Sequence, residues 1–151
     1  SGQAPLSEHE DVGAVHVFRR AGTTWAEEAY FKGAVPTEGI YFGQELALSG
    51  DGHLLAVGSP YDTGAGSGLQ PHPSQDGWAS ADRGAVEMFR RQGGQWLRGA
   101  YIKPPDPGRQ QFGSAVALSR DGALLAVGAA GDPDPNGTGE THPNAGSVRL
   151  Y

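Results

Sequence analysis

The sequence predicts an all-β protein assembled from repeated antiparallel four-stranded units, and three observations carry that expectation. Phe42-Gly43-Gln44-Glu45-Leu46-Ala47-Leu48-Ser49-Gly50-Asp51-Gly52-His53-Leu54-Leu55-Ala56-Val57-Gly58 recurs as Phe112-Gly113-Ser114-Ala115-Val116-Ala117-Leu118-Ser119-Arg120-Asp121-Gly122-Ala123-Leu124-Leu125-Ala126-Val127-Gly128. Each copy is a pair of short apolar runs joined at Asp-Gly, a strong hairpin signal. A second motif, Gly13-Ala14-Val15-His16-Val17-Phe18, returns as Gly84-Ala85-Val86-Glu87-Met88-Phe89 and again as Gly146-Ser147-Val148-Arg149-Leu150-Tyr151. The 25 glycines and 11 prolines among 151 residues exceed ordinary usage, as a chain of many short strands and turns requires.

Taken in order, residues 1–12 are polar and aperiodic and read as a tail or loop, with Ser1-Gly2 resembling a cloning remnant. The Gly13–Phe18 strand alternates Val15 and Val17 on one face with His16 and Phe18 on the other. Arg19-Arg20-Ala21-Gly22-Thr23 is expected to turn the chain into an outer strand over Thr24–Phe31, whose charges suit an exposed edge. A Pro- and Gly-containing connector leads to the first Phe-Gly hairpin, whose second strand, Leu54-Leu55-Ala56-Val57, is apolar on both faces and so should be covered on both. Residues 59–83 read as one long loop rich in Gly, Ser, Pro and Asp, and loops of that length are often functional. The cycle then repeats: Gly84–Phe89 strand, Arg90-Arg91-Gln92-Gly93-Gly94 turn, Gln95–Ile102 outer strand, second Phe-Gly hairpin, and a second long loop over 129–145. The organisation is thus a first repeat at 13–83, a second at 84–145 and the start of a third at 146–151. In strand numbering the chain runs 3–4, then 1–2–3–4, then 1–2–3.

A four-stranded unit of roughly 60–70 residues with an inner strand apolar on both faces is what a β-propeller blade requires. A single blade cannot bury both faces, so neighbours must cover them. About two blades per chain are too few for a closed ring, which leaves two routes: further blades of a parent protein, or assembly of copies into a trimer or tetramer. The duplicated third strand would also permit strand exchange between chains.

The Phe-Gly…Leu-Ser-x-Asp-Gly…Leu-Ala-Val-Gly pattern, followed by Gly-Ala-Val-x-x-Phe and Trp…Ala-Tyr, resembles the FG-GAP repeats of integrin-α-like β-propellers, most closely the bacterial type. The resemblance covers nearly the whole chain after Asp11. It implies a propeller of about seven antiparallel blades, used mostly as a binding or structural platform, in an extracellular or cell-surface protein. Many members hold calcium in an Asp-x-Asn-x-Asp-Gly-x-x-Asp hairpin loop. Here the matching positions are Ala47, Ser49, Asp51, Leu55 and Ala117, Ser119, Asp121, Leu125, too few oxygen ligands for the ion. Asp51 and Asp121 are better read as turn residues beside glycine, and no cofactor is expected there.

Candidate sites fall in the long loops. Asp62, Asp76 and Trp78 are the candidates for ligand contact, an exposed loop aromatic being a common anchor, although for Trp78 the favoured reading is that it folds back to cover a blade edge. Asp132, Asp134 and Asn136 present oxygens at alternate positions, a weak calcium candidate set against Asx turns that satisfy the loop backbone. His9, His16, His53, His72 and His142 lack metal-ligand spacing. Trp25 and Trp96 recur at matching places, as packing between blades would demand, and the Arg19-Arg20 and Arg90-Arg91 pairs read as solvated turn charges. Gly64-Ala65-Gly66-Ser67-Gly68 is a flexible loop rather than a nucleophile elbow, and Glu27 and Glu28 point to opposite faces of a strand, so they cannot act as an acid/base pair. Cysteine is absent, which rules out disulfides and thiolate chemistry. The net charge of -6 is spread along the chain without a basic stripe, which argues against nucleic acid, and no apolar run approaches the ~20 residues of a membrane span. The expectation is a non-enzymatic module that binds a protein or glycan through its long loops and associates with itself through blade edges. A purely architectural role, or a propeller accessory to a hydrolase whose active site lies elsewhere, are the alternatives.

Overall fold

A computed structural model describes residues 11–35, 37–72, 74–78, 83–106, 110–133 and 144–151. Among these residues there is no helix; twelve strands run in chain order: β1 Val15–Ala21, β2 Thr24–Phe31, β3 Glu45–Leu48, β4 Leu54–Ser59, β5 Gly64–Ala65, β6 Gly68–Gln70, β7 Ser74–Trp78, β8 Ala85–Gln92, β9 Gln95–Lys103, β10 Phe112–Leu118, β11 Leu125–Ala129 and β12 Ser147–Leu150. They form three successive antiparallel sheets: a first of two strands, β1-β2, a middle one of five, β3-β4-β8-β9-β6, and a third of three, β10-β11-β12. A small β5-β7 ladder lies in the long connection, and none of the sheets closes on itself.

The middle sheet contains the four antiparallel strands in the order expected, with β6 as an unforeseen fifth. Residues 59–83 therefore are not structureless. Gly68, Leu69 and Gln70 pair with Lys103, Ile102 and Tyr101, so the loop returns to satisfy the outer edge of β9. The Arg-Arg pairs are not turn residues either. β8 continues through Arg90, Arg91 and Gln92, and Gly93-Gly94 alone make the turn, with Gln92 opposite Gln95.

Arg91 is the clearest departure from a solvated charge. β1 and β2 slip register between Val17 and Phe18, which leaves Glu28 as the extra residue of a β-bulge. Glu28 then reaches the middle sheet, where Arg91 Nε and Nη2 donate to its two oxygens at 2.9 and 2.6 Å and Trp96 Nε1 donates at 2.9 Å. This bidentate pair, joined by the indole, holds the Glu28 carboxyl at about 2, well below its ordinary 4.5.

β4 explains why both faces of its sequence are apolar. Leu55 and Val57 point into a core with Val12, Val15, Ile40, Phe42 and Phe89, between the first and middle sheets. Ala56 points the other way, into a core with Val86, Ile102, Phe112, Leu125, Val127 and Ala129, between the middle and third sheets. Phe89 stacks on Phe31 with ring centroids 4.1 Å apart and meets Phe42 edge-on at 6.3 Å.

The two recurring motifs meet one another. Gly13 bridges Phe42 in parallel, and Gly84 bridges Phe112 in the same way. At each glycine φ is positive, and a Cβ would overlap the backbone of the facing phenylalanine. The glycine of one motif is thus required by the phenylalanine of the next. Trp96, as expected, packs between sheets. Its counterpart Trp25 does not; it is 64% exposed, and among the described residues no sheet packs on it.

Candidate functional site

The chain leaves β4 through Ser59-Pro60-Tyr61 and closes a turn with Asp62 N–H donating to Ser59 C=O at 3.1 Å. Asp62 is buried, and its Oδ1 accepts from Gly64 N–H at 2.8 Å, Tyr101 Oη at 2.5 Å and Lys103 Nζ at 2.9 Å. Its carbonyl accepts from Lys103 Nζ and Gly84 N–H, both at 3.1 Å. Burial pushes Lys103 below its usual range while Asp62 pulls it back up; burial, with the Asp62 charge behind it, pushes the Tyr101 phenol up. Tyr101 therefore stays protonated and donates. This knot ties the exit of β4 to the end of β9. Such a paired, inaccessible carboxylate is a loop anchor, and it does not present itself to a ligand.

Asp132 follows β11 as Asp62 follows β4. Its N–H donates to Ala129 C=O at 3.2 Å and its carbonyl accepts from Gly146 N–H at 3.0 Å. Its side chain has different partners: Oδ2 accepts from Ser147 Oγ at 2.5 Å, with Arg149 Nη2 3.7 Å away. Asp134 and Asn136, named with it as calcium ligands, lie outside the described residues. Asp76 and Trp78 sit on β7, where the Trp78 backbone pairs with Gly64 and so lies beside the Asp62 loop.

In the hairpins, Asp51 Oδ1 accepts from Ser49 Oγ at 2.6 Å and His53 N–H at 3.0 Å, and Asp121 does the same with Ser119 Oγ at 2.6 Å and Ala123 N–H at 3.1 Å. These bonds, the serine hydroxyl first, hold both carboxyls below the usual range. The serine oxygens in turn accept from Leu54 and Leu124 N–H at 2.9 Å. The aspartates close turns. Of the histidines, His16 pairs across strands with Glu27 at 2.7 Å and His53 leans on Asp51 at 3.4 Å, while His72 is exposed; His9 and His142 lie outside the described residues. Among the described residues no three His, Asp or Glu side chains gather as metal ligands would.

Beside the Asp62 knot the surface opens into a cleft of about 960 Å³, lined by Asp11, Glu38, Gly39, Tyr41, Gln44 and Tyr61 among others. Tyr41 and Tyr61 meet edge to face at 5.4 Å, and Tyr41 Oη donates to Asp11 Oδ2 at 3.2 Å. That bond and the charge behind it raise the Tyr41 phenol. The pieces come from three connections: the approach to β1, the β2–β3 link and the turn after β4. Tyr41 holds a left-handed backbone, φ 52°, just ahead of Phe42. Aromatic faces beside carboxylate and amide oxygens suit ligands rich in hydroxyl or amide groups. Sequence reasoning passed over these residues. The available signal was the contrast between Tyr41 and Gln111, and between Tyr61 and Gly131, at matching positions of the two repeats. Comparison of the chain with protein-family models and with curated proteins finds no match to either.

Proposed function

We propose that this chain is a non-enzymatic binding module of the propeller type, akin to FG-GAP repeats, whose sheets are successive blades and whose loop side holds a protein or glycan ligand at the surface of a bacterial cell or outside it. The observation that carries the reading is the Asp11–Tyr41–Tyr61 cleft, a tyrosine pair flanked by carboxylates and seated on the rigid Asp62 anchor. A site on an over-determined scaffold keeps its geometry without a ligand, which lowers the ordering cost of binding. Acceptors and aromatic faces are the equipment for holding such a ligand.

The test is a panel of neutral oligosaccharides and acetylated peptides titrated by heteronuclear NMR. Binding should shift the Gly39, Tyr41, Gln44 and Tyr61 amides, and Tyr61→Ala should weaken it at least tenfold while leaving the fold intact. Shifts confined to other surfaces, or full affinity in Tyr61→Ala, would overturn the assignment.

A further inference from the structure

The two ends of the array are complementary. Among the described residues the first sheet has an outer strand pair, β1-β2, and no inner pair. The third has an inner pair, β10-β11, with only the four-residue β12 beyond it. β12 and β1 hold equivalent places: Ala126 lies opposite Leu150 as Ala56 lies opposite Met88, and Val17 is the β1 residue matching both Leu150 and Met88. We propose that β1-β2 of a second copy of this chain takes the place of β12 on β11, so that copies join head to tail and Tyr30 and Lys32 of one copy close onto Asp132 of the other. The inference rests on reading the sheets as successive propeller blades.

Four observations support this exchange. Tyr30 and Lys32 match Tyr101 and Lys103, which tie down Asp62 in the middle sheet. In this chain Tyr30 is 52% exposed and Lys32 Nζ donates to Gly13 C=O. Asp132 thus has the main-chain setting of Asp62 without its two donors, which wait on β2. β11 is already paired along its length with β12 and Tyr151, so what β1 adds is its own neighbour: its seven residues arrive already paired with β2.

The faces fit as well. Leu46 and Leu48 are about half exposed, whereas the matching Val116 and Leu118 pack on the middle sheet next to Ala47 and Ala56. In the joined form Leu46 and Leu48 find Ala117 and Ala126 of the second copy. Finally, a Cβ on Gly58 would overlap the Gly113 carbonyl of the next sheet. The matching Gly128 is also glycine although, among the described residues, only Ala115 lies near it, as a seat for Gly43 of a following copy requires.

Two cysteine variants of this otherwise cysteine-free chain test the exchange. In Ala126→Cys/Leu150→Cys a disulfide pins β12 to β11. By light scattering the oxidised variant should be a 15.7 kDa monomer that associates into multiples of that mass on reduction. Equal masses in both states, or a wild-type chain that stays monomeric at all concentrations, would overturn the proposal. Mixing the single variants Val17→Cys and Ala126→Cys under mild oxidation should give a covalent heterodimer, and its absence would also overturn it. Asp132→Asn should raise the concentration for half-dissociation at least tenfold; no change would remove Asp132 from the junction. Cleft binding measured on the same samples separates the two readings. A cross-link without cleft binding overturns the ligand site alone, and cleft binding without a cross-link overturns the exchange alone.

Discussion

Phe18 and Trp25 in the first sheet match Phe89 and Trp96 in the middle one, with the same spacing and the same strands. Phe89 is fully buried and Trp96 is wedged against the neighbouring core, whereas Phe18 is 53% and Trp25 64% exposed. Identical side chains in identical local structure thus differ in burial because, among the described residues, one pair has a sheet in front of it and the other does not. In a repeat protein the energy of a residue belongs to the interface between units, and the same letter carries different weight in each copy.

Substitutions at paired positions sharpen that contrast. Phe89→Ala should cost about 3–5 kcal/mol in denaturant unfolding, through lost transfer and a cavity between stacked rings. Phe18→Ala measured in the monomer should stay within about 0.5 kcal/mol. Equal losses would show that burial does not separate the copies. Next in size, Lys103→Met leaves Asp62 buried with Tyr101 and Gly64 as its remaining partners, for a loss of about 3 kcal/mol, while Lys32→Met should change the monomer's stability little.

Glu28 offers a pH reading of the junction between the same two sheets. Its carboxyl sits at about 2 in the folded chain against an ordinary 4.5. A depressed folded value stabilises fully above the ordinary one and loses that contribution as pH falls from about 4.5 through about 2. Melting temperature should therefore drop over that window in the wild type, and the slope should be shallower in Glu28→Gln. An unchanged slope would mean that the Arg91–Glu28–Trp96 contact does not join the sheets in solution. The smallest expected difference is between the hairpins. Ser49→Ala, at a buried serine, should cost about 1 kcal/mol, and the more exposed Ser119→Ala about 0.5 kcal/mol, each through loss of the hydroxyl's bonds to the turn aspartate and the following leucine N–H.

The comparison also marks what the sequence can convey. The turn before Thr24 and the charges after it placed β2 at Thr24–Phe31, and the doubly apolar Leu54–Val57 run foretold a strand covered on both sides, because both are local patterns. Arg91 was misread because its partner, Glu28, reaches it only through a bulge that no propensity announces. The strands β5, β6 and β7 escaped notice because they are two to five residues long and, in the case of β6, set by a free edge of β9. Asp62 drew attention by its recurrence as Asp132, yet the role assigned to it missed the recurrence of Tyr-x-Lys at Tyr30-Lys32 and Tyr101-Lys103. Reading those two repeats together would have pointed to an internal knot.

The Gly84–Phe112 bridge has a consequence for where the chain can be cut. Phe112 N–H donates to Arg83 C=O at 3.0 Å, and Gly84 N–H to Asp62 C=O at 3.1 Å, so one short stretch of backbone is shared by the loop of one repeat, the third strand of the next sheet and the first strand of the sheet after. The unit of sequence duplication and the unit of cooperative opening are therefore out of phase. A piece excised at the motif boundaries severs a foldon through its middle, and amide exchange at Gly84 should track that at Phe112 rather than that of nearer neighbours along the chain.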